Sequence, residues 1–107
     1  EDTESEPAAI GGYVSLERAY LFQPVPADID PEKAHHVIGG QGNVWTEYIP
    51  TEEQVEYMTY PRAIALAEIL WAYPEKRDFA AFTGRVKQHL PRLNNLEVGY
   101  RLMQDDD

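Results

Sequence analysis

Two residues near the middle of this chain combine functional groups that could hold a ligand. Trp45 and Glu47 stand two positions apart at the end of the glycine-rich run "GGQGNVWTEYIP", residues 39–50. An indole offers a flat apolar face, and an ionised carboxylate accepts charge-assisted hydrogen bonds. From residue type alone, Trp45 reads as readily as core, and Glu47 more readily as a surface charge. The other chemistry-bearing residues are weaker candidates. Adjacent helical residues point about 100° apart, so His35 and His36 should not converge on a metal, and no thiolate can help because the chain has no cysteine. Glu52 and Glu53 read as first-turn helix charges. Glu68, inside an apolar helix, reads as the partner of an arginine in a buried ion pair. Arg62 reads as a strut, and Trp71 as core at a helix end. Phosphate loops and nucleophile elbows are missing from the sequence, and no metal or cofactor site is expected.

The elements that position these residues follow from their start and stop signals. Ser15 can cap a short turn reaching Tyr20, after which Pro24 and Pro26 impose an extended path. Asp30 followed by Pro31 and Glu32 marks a second helix start, kept short by Gly39-Gly40. Val37 to Trp45 reads as one buried strand whose glycines admit close neighbours. Thr51 caps a helix that Pro61 must break or kink, and "PRAIALAEILWAY" continues as a largely buried helix. Asp78 caps a last helix with Phe79, Phe82, Val86, Leu90 and Leu93 spaced by three and four. Pro91 should bend or shorten it. A single strand without a sheet partner is an uncomfortable inventory for an autonomous domain, because a buried strand needs ladder bonds on both sides.

Composition bounds the rest. The apolar share of 43% and aromatic share of 11% in 107 residues are those of a globular chain. The net charge of −10 is concentrated at the ends. Glu1, Asp2, Glu4 and Glu6 open the chain and Asp105, Asp106 and Asp107 close it, leaving 12 acids against 9 bases between them. Residues 1–12 therefore read as a flexible acidic lead-in, 13–103 as the structured part, and 104–107 as an acidic tail. Nucleic acid is not an expected partner, since no basic cluster is present. Neither a membrane span nor a signal segment is expected.

From Leu16 to Tyr100 the sequence resembles the C-terminal part of the catalytic domain of family 20 glycoside hydrolases, the β-N-acetylhexosaminidases. The residues carrying the likeness are "HVIGGQGNVWTEYI", then "VEYMTYPRAIALAEILW", then "FTGRVKQHLPRLNNLEVGYR". The resemblance implies an α/β fold class: a C-terminal fragment of a (β/α)8 TIM barrel, mostly helical when taken alone. Val37 to Trp45 would be the eighth strand, Thr51 to Trp71 the eighth helix, and Phe79 to Leu96 a further helix. Strand eight would then find its partners in strands seven and one. Trp45 and Glu47 would fall at the C-terminal end of the strand, where such barrels hold their sites.

By the same resemblance, Trp45 packs against the apolar face of a terminal N-acetyl sugar and Glu47 accepts from its 4- and 6-hydroxyls. Side chains at i and i+2 of extended backbone share a face, as this requires. The substrates implied are N-acetylglucosamine or N-acetylgalactosamine glycosides, cleaved with retention through attack by the sugar's own acetamido oxygen. The family's catalytic Asp-Glu pair has no counterpart here, since the chain contains no Asp-Glu dipeptide. The chain alone is therefore expected to be inactive and to supply binding residues only. An excised barrel piece would also expose a strand edge and helix faces, so self-association, or pairing with the missing part of the barrel, is the alternative expectation. A small carbohydrate-binding module is a third reading. A periplasmic or extracellular location would follow if the parent is a typical bacterial member.

Overall fold

A computed structural model of the chain describes residues 6–104. Four α-helices account for most of its regular structure: α1 (Leu16–Tyr20), α2 (Glu52–Thr59), α3 (Arg62–Trp71) and α4 (Phe79–Asn95). Single 3-10 turns cover Pro31–His36 and Pro74–Lys76. All four capping residues read from the sequence act as caps. Ser15 Oγ accepts from the Arg18 N–H (3.1 Å), Asp30 Oδ1 from Glu32 (3.0 Å), Thr51 Oγ1 from Gln54 (3.2 Å) and Asp78 Oδ1 from Ala81 (2.9 Å). Each satisfies a backbone donor that the first helical turn leaves unpaired.

Helices α2 and α3 meet at the cis Tyr60–Pro61 bond. Arg62 holds this joint, as a strut should: Nε donates to the Val14 carbonyl (2.7 Å) and Nη1 to that of Met58 (3.0 Å). Helix α4 does not stop at Pro91 but runs on to Asn95. Pro91 and Lys87, whose carbonyl loses its intrahelical donor to the proline, are both exposed, so water can replace the missing bond. The helix ends in a Schellman arrangement. The Glu97 N–H bonds to the Asn94 carbonyl, the Val98 N–H bonds to that of Leu93, and Glu97 takes the left-handed conformation (φ 57°).

The core lies where α1, α3 and α4 converge, built from Leu16 and Tyr20, Ala65 and Ile69, and Phe82 and Val86. Tyr20 is stacked on Phe82 with ring centroids 4.6 Å apart. Its hydroxyl donates to Glu68 Oε1 (3.2 Å) and accepts from the Asp78 N–H (2.9 Å), joining all three helices at one atom. Glu68 is paired with Arg85, as an acid on this helix should be. The pair is not buried, however: the Arg85 side chain is 54% exposed, so solvent screens it.

A second polar cluster ties the chain's two ends together. Arg101 Nε donates to Glu6 Oε1 (2.6 Å), the Tyr57 hydroxyl donates to Glu6 Oε2 (3.3 Å), and the guanidinium lies 5.4 Å from the centre of the Tyr13 ring. Glu6, acidic like the rest of the opening segment, is thus held against the folded body. Residues 1–5 and 105–107 lie outside the described residues.

Two further sequence expectations are not met among the described residues. Val37 to Trp45 is not a strand, and no strand occurs among the described residues. The reason is that a strand is defined by its ladder partners, and the described residues bring none alongside. Trp71 is not core either; it is 93% exposed. The end of α3 that carries it is left uncovered by the rest of the described chain. The radius of gyration is 15.1 Å, against about 13 Å for a compact chain of this length.

The buried Tyr20 and the half-buried Tyr57 give this fold a pH response. Desolvation pushes the Tyr20 and Tyr57 hydroxyls above the ordinary value of 10.0, with the Glu68 and Glu6 charges adding to it. An acid whose pKa is higher in the folded state contributes stability that is complete below its unfolded pKa and disappears as pH climbs through the folded one. The melting temperature should therefore fall as pH rises above 10.0, and Tyr57→Phe should flatten that fall. Thermal melts across the alkaline range check this; equal slopes for the two proteins would contradict it.

Candidate functional site

The run from Gly39 to Asn43 is pressed onto α3 by its glycines. A Cβ at Gly40 would lie 2.9 Å from Leu70 Cδ2, and one at Gly42 would lie 2.9 Å from Leu66 Cδ2. Gly40 and Gly42 therefore face the helix. Gln41 and Asn43 share another side, where Gln41 Nε2 donates to Asn43 Oδ1 (2.5 Å). This is the two-residue alternation of extended backbone, present without a sheet.

The run delivers Trp45 to the edge of a cleft of about 400 Å³. Tyr13, Val14, Ile49, Met58 and Arg62 complete much of its wall, with Asn43 beside Trp45. The indole is 59% exposed, so the cleft has a large aromatic plane that the chain does not cover. Glu47 is exposed too, but it does not line the cleft. The backbone turns just before it, closed by the Ile49 N–H to the Thr46 carbonyl (3.1 Å). The i, i+2 argument for a shared face thus ends at Thr46, because alternation applies only to extended backbone. The turn itself is anchored by Gln54, whose Nε2 donates to the Tyr48 carbonyl (3.1 Å).

His35 and His36 lie close together, with ring centroids 4.1 Å apart, although the helical spacing led us to expect divergence. The 3-10 turn that carries them stops at His36, which frees the second ring to fold back. Among the described residues no group of three or more His, Cys, Asp or Glu side chains is placed to hold a metal ion. Tyr13 and Glu6 are cleft residues that no sequence signal marked, since the contacts that place them lie far apart along the chain.

Sequence comparison decides the family. Residues 1–74 match the profile of the glycosyl hydrolase family 20 catalytic domain. The chain belongs to that family. It is 40% identical over 101 residues to a β-hexosaminidase of Porphyromonas gingivalis, an alignment covering 94% of this chain and 13% of the relative. It is 38% identical over 93 residues to a β-N-acetylhexosaminidase of Cellulomonas fimi, covering 84% and 18% respectively. A β-hexosaminidase subunit alpha of Bos taurus is 40% identical over 53 residues, which is half of this chain and a tenth of the relative. The chain thus spans less than a fifth of the length of these relatives.

Two features of this family 20 chain now connect. The family match stops at residue 74, yet Phe82 and Val86 of α4 fill the same core as Leu16 and Ile69. The segment carrying Trp45 therefore rests on a unit that runs past the matched region. The exposed apolar side chains include Ile38 (96%), Trp71 (93%) and Tyr73 (70%). Large side chains so placed are what a piece of a larger fold presents to its missing neighbours. Among the described residues no helix is long and apolar enough to cross a membrane.

Proposed function

We propose that this chain is the closing part of the (β/α)8 catalytic barrel of an exo-acting β-N-acetylhexosaminidase, and that it supplies sugar-binding residues to that enzyme. The observation that carries the reading is the position of Trp45. In a family 20 chain, a glycine-rich run laid along α3 ends in an uncovered indole at a cleft. Val37 to Trp45 takes the role of strand eight. Its alternation is already that of a strand, with one side on the helix layer and the other on the side that would face the barrel interior. Residues 13–103 form the barrel segment, preceded in sequence by the lead-in 1–12, of which Glu6 is pinned, and followed by the acidic residues 104–107.

Trp45 packs against the apolar C–H face of a terminal N-acetylglucosamine or N-acetylgalactosamine unit. Glu47, in the exposed turn beyond it, accepts from the 4- and 6-hydroxyls. A substituted 4-hydroxyl could not reach that carboxylate, which makes the enzyme exo-acting. Cleavage proceeds with retention through the substrate's own acetamide, and the acid–base pair belongs to the part of the barrel that this chain does not include.

Calorimetric titration with N-acetylglucosamine tests the reading. Trp45→Ala should weaken binding about tenfold or more, as loss of a stacked aromatic ring does, and Glu47→Gln by about three- to tenfold. Unchanged affinity in both variants would contradict it. The exposed Ile38, Trp71 and Tyr73 side chains favour one second reading, a self-associating module. A concentration-dependent dimer with no response to sugar would favour that reading instead.

A further inference from the structure

The same run that presents Trp45 also presents an oriented amide. Because Gly40 and Gly42 face α3, Gln41 and Asn43 stand together on another side, and Asn43 borders the cleft along with Trp45. The bond between the two carboxamides has a direction. Gln41 Nε2 donates and Asn43 Oδ1 accepts, at 2.5 Å. An asparagine whose oxygen is engaged in this way must present its other end, the Nδ2 amine with two N–H donors, to whatever lies beyond. Among the described residues Asn43 Nδ2 donates to no other group.

Taking the sugar site proposed above as given, we infer that Asn43 is a specificity-determining residue of the cleft. It donates a hydrogen bond to an acceptor oxygen of the N-acetylated sugar, and Gln41 acts as the positioning residue that sets which end of the Asn43 amide faces the ligand. The indole of Trp45 recognises a plane and cannot tell one sugar rim from another. A fixed donor beside it can, because a site built to bond an oxygen rejects a ligand that offers none there. Asn43 also borders the neighbouring cavity of about 450 Å³, which Gln41 lines, so Asn43 stands at the partition between the two spaces.

The logic of donor and acceptor makes the inference testable apart from folding. Asn43→Ala should weaken N-acetylglucosamine binding by about three- to tenfold, the worth of one hydrogen bond. Asn43→Asp should weaken it by more than about tenfold, since a carboxylate can only accept and would face the ligand's oxygen. Gln41→Glu touches no ligand, yet a carboxylate at position 41 would draw the Asn43 amine toward itself and turn its oxygen to the cleft. Binding should then fall by about three- to tenfold as well. If Gln41 were merely structural, Gln41→Glu would bind like the parent.

The experiment is an NMR titration of the whole 15N-labelled chain with N-acetylglucosamine, following the Asn43 side-chain amide and the Trp45 indole together. The Phe82 and Val86 signals report that each variant is folded. Both reporters should shift with one dissociation constant, and repetition with glucose shows whether the acetamido carbonyl or a ring hydroxyl is the acceptor. A shifting indole with a silent Asn43 amide, and Asn43→Asp binding normally, would overturn this inference and leave the sugar site intact. Silence from both reporters would overturn the sugar site and this inference with it.

Discussion

Replacement of Phe82 by alanine should lower the unfolding free energy by about 3–5 kcal/mol, the cost of emptying a packed aromatic site. Phe82 is fully buried (0% exposed) and is stacked on Tyr20 while touching the α1 and α3 side of the core. Its removal leaves a void whose walls cannot collapse easily, because Tyr20 is fixed by two hydrogen bonds through its hydroxyl. Stability in a chain of this size is of order 5–15 kcal/mol, so much of it would be lost. Urea denaturation followed by circular dichroism measures the effect. The consequence reaches the site, since α4 lies beyond the family 20 match and yet supports α3, on which the Trp45 segment rests. A loss under about 1 kcal/mol would mean that α4 is an appendage and that the core has been misplaced.

Glu6→Leu should cost about 3 kcal/mol, because it breaks a largely enclosed ion pair and removes the acceptor of the Tyr57 hydroxyl. Both partners are largely enclosed, with side-chain exposures of 4% for Arg101 and 9% for Glu6. The loss should stand at the lower end of the range for broken buried pairs. Arg101 keeps a bond to the Leu102 carbonyl (3.3 Å) and its place over the Tyr13 ring. The double variant Glu6→Leu with Arg101→Met should recover most of the loss, since well-packed apolar replacements for a buried ion pair are often neutral. A double-mutant cycle by thermal or urea denaturation checks both halves. Additive single losses would show that the two charges do not interact and that the chain ends are not joined through them.

What the sequence disclosed and what it withheld divide along a physical line. The caps at Ser15, Asp30, Thr51 and Asp78 were legible because each is a local bargain between a side chain and a backbone N–H two or three residues on. The buried stripe of α4 was legible because a helix's period is written in its sequence, as Phe82, Val86 and Leu93 bear out. Arg62 was assigned its bracing role and Glu68 its kind of partner, though not the exposure of the Glu68–Arg85 pair. The burial of Trp71 was misread, and the strand reading of Val37 to Trp45 meets no ladder partner among the described residues. Local pattern records what a segment needs without showing whether it is present. The Glu6–Arg101 pair was out of reach because its members stand 95 positions apart and neither lies in a motif. As for the candidate site, Trp45 was selected from the likeness to family 20, and the cleft beside it became visible only with Tyr13 and Arg62 in place.

The central claim is that Trp45 belongs to a sugar site, and the two indole N–H signals of the chain test it most directly. Trp71 is 93% exposed and does not line the Trp45 cleft, so it reports any indiscriminate stacking of sugar on an open ring. On titration with N-acetylglucosamine the Trp45 signal should move saturably while Trp71 stays still, and Glu47→Gln should shift the curve to higher concentration. If both indoles move in parallel without saturation, or neither moves while the chain remains folded, Trp45 holds no sugar in this chain and the account of its cleft is wrong.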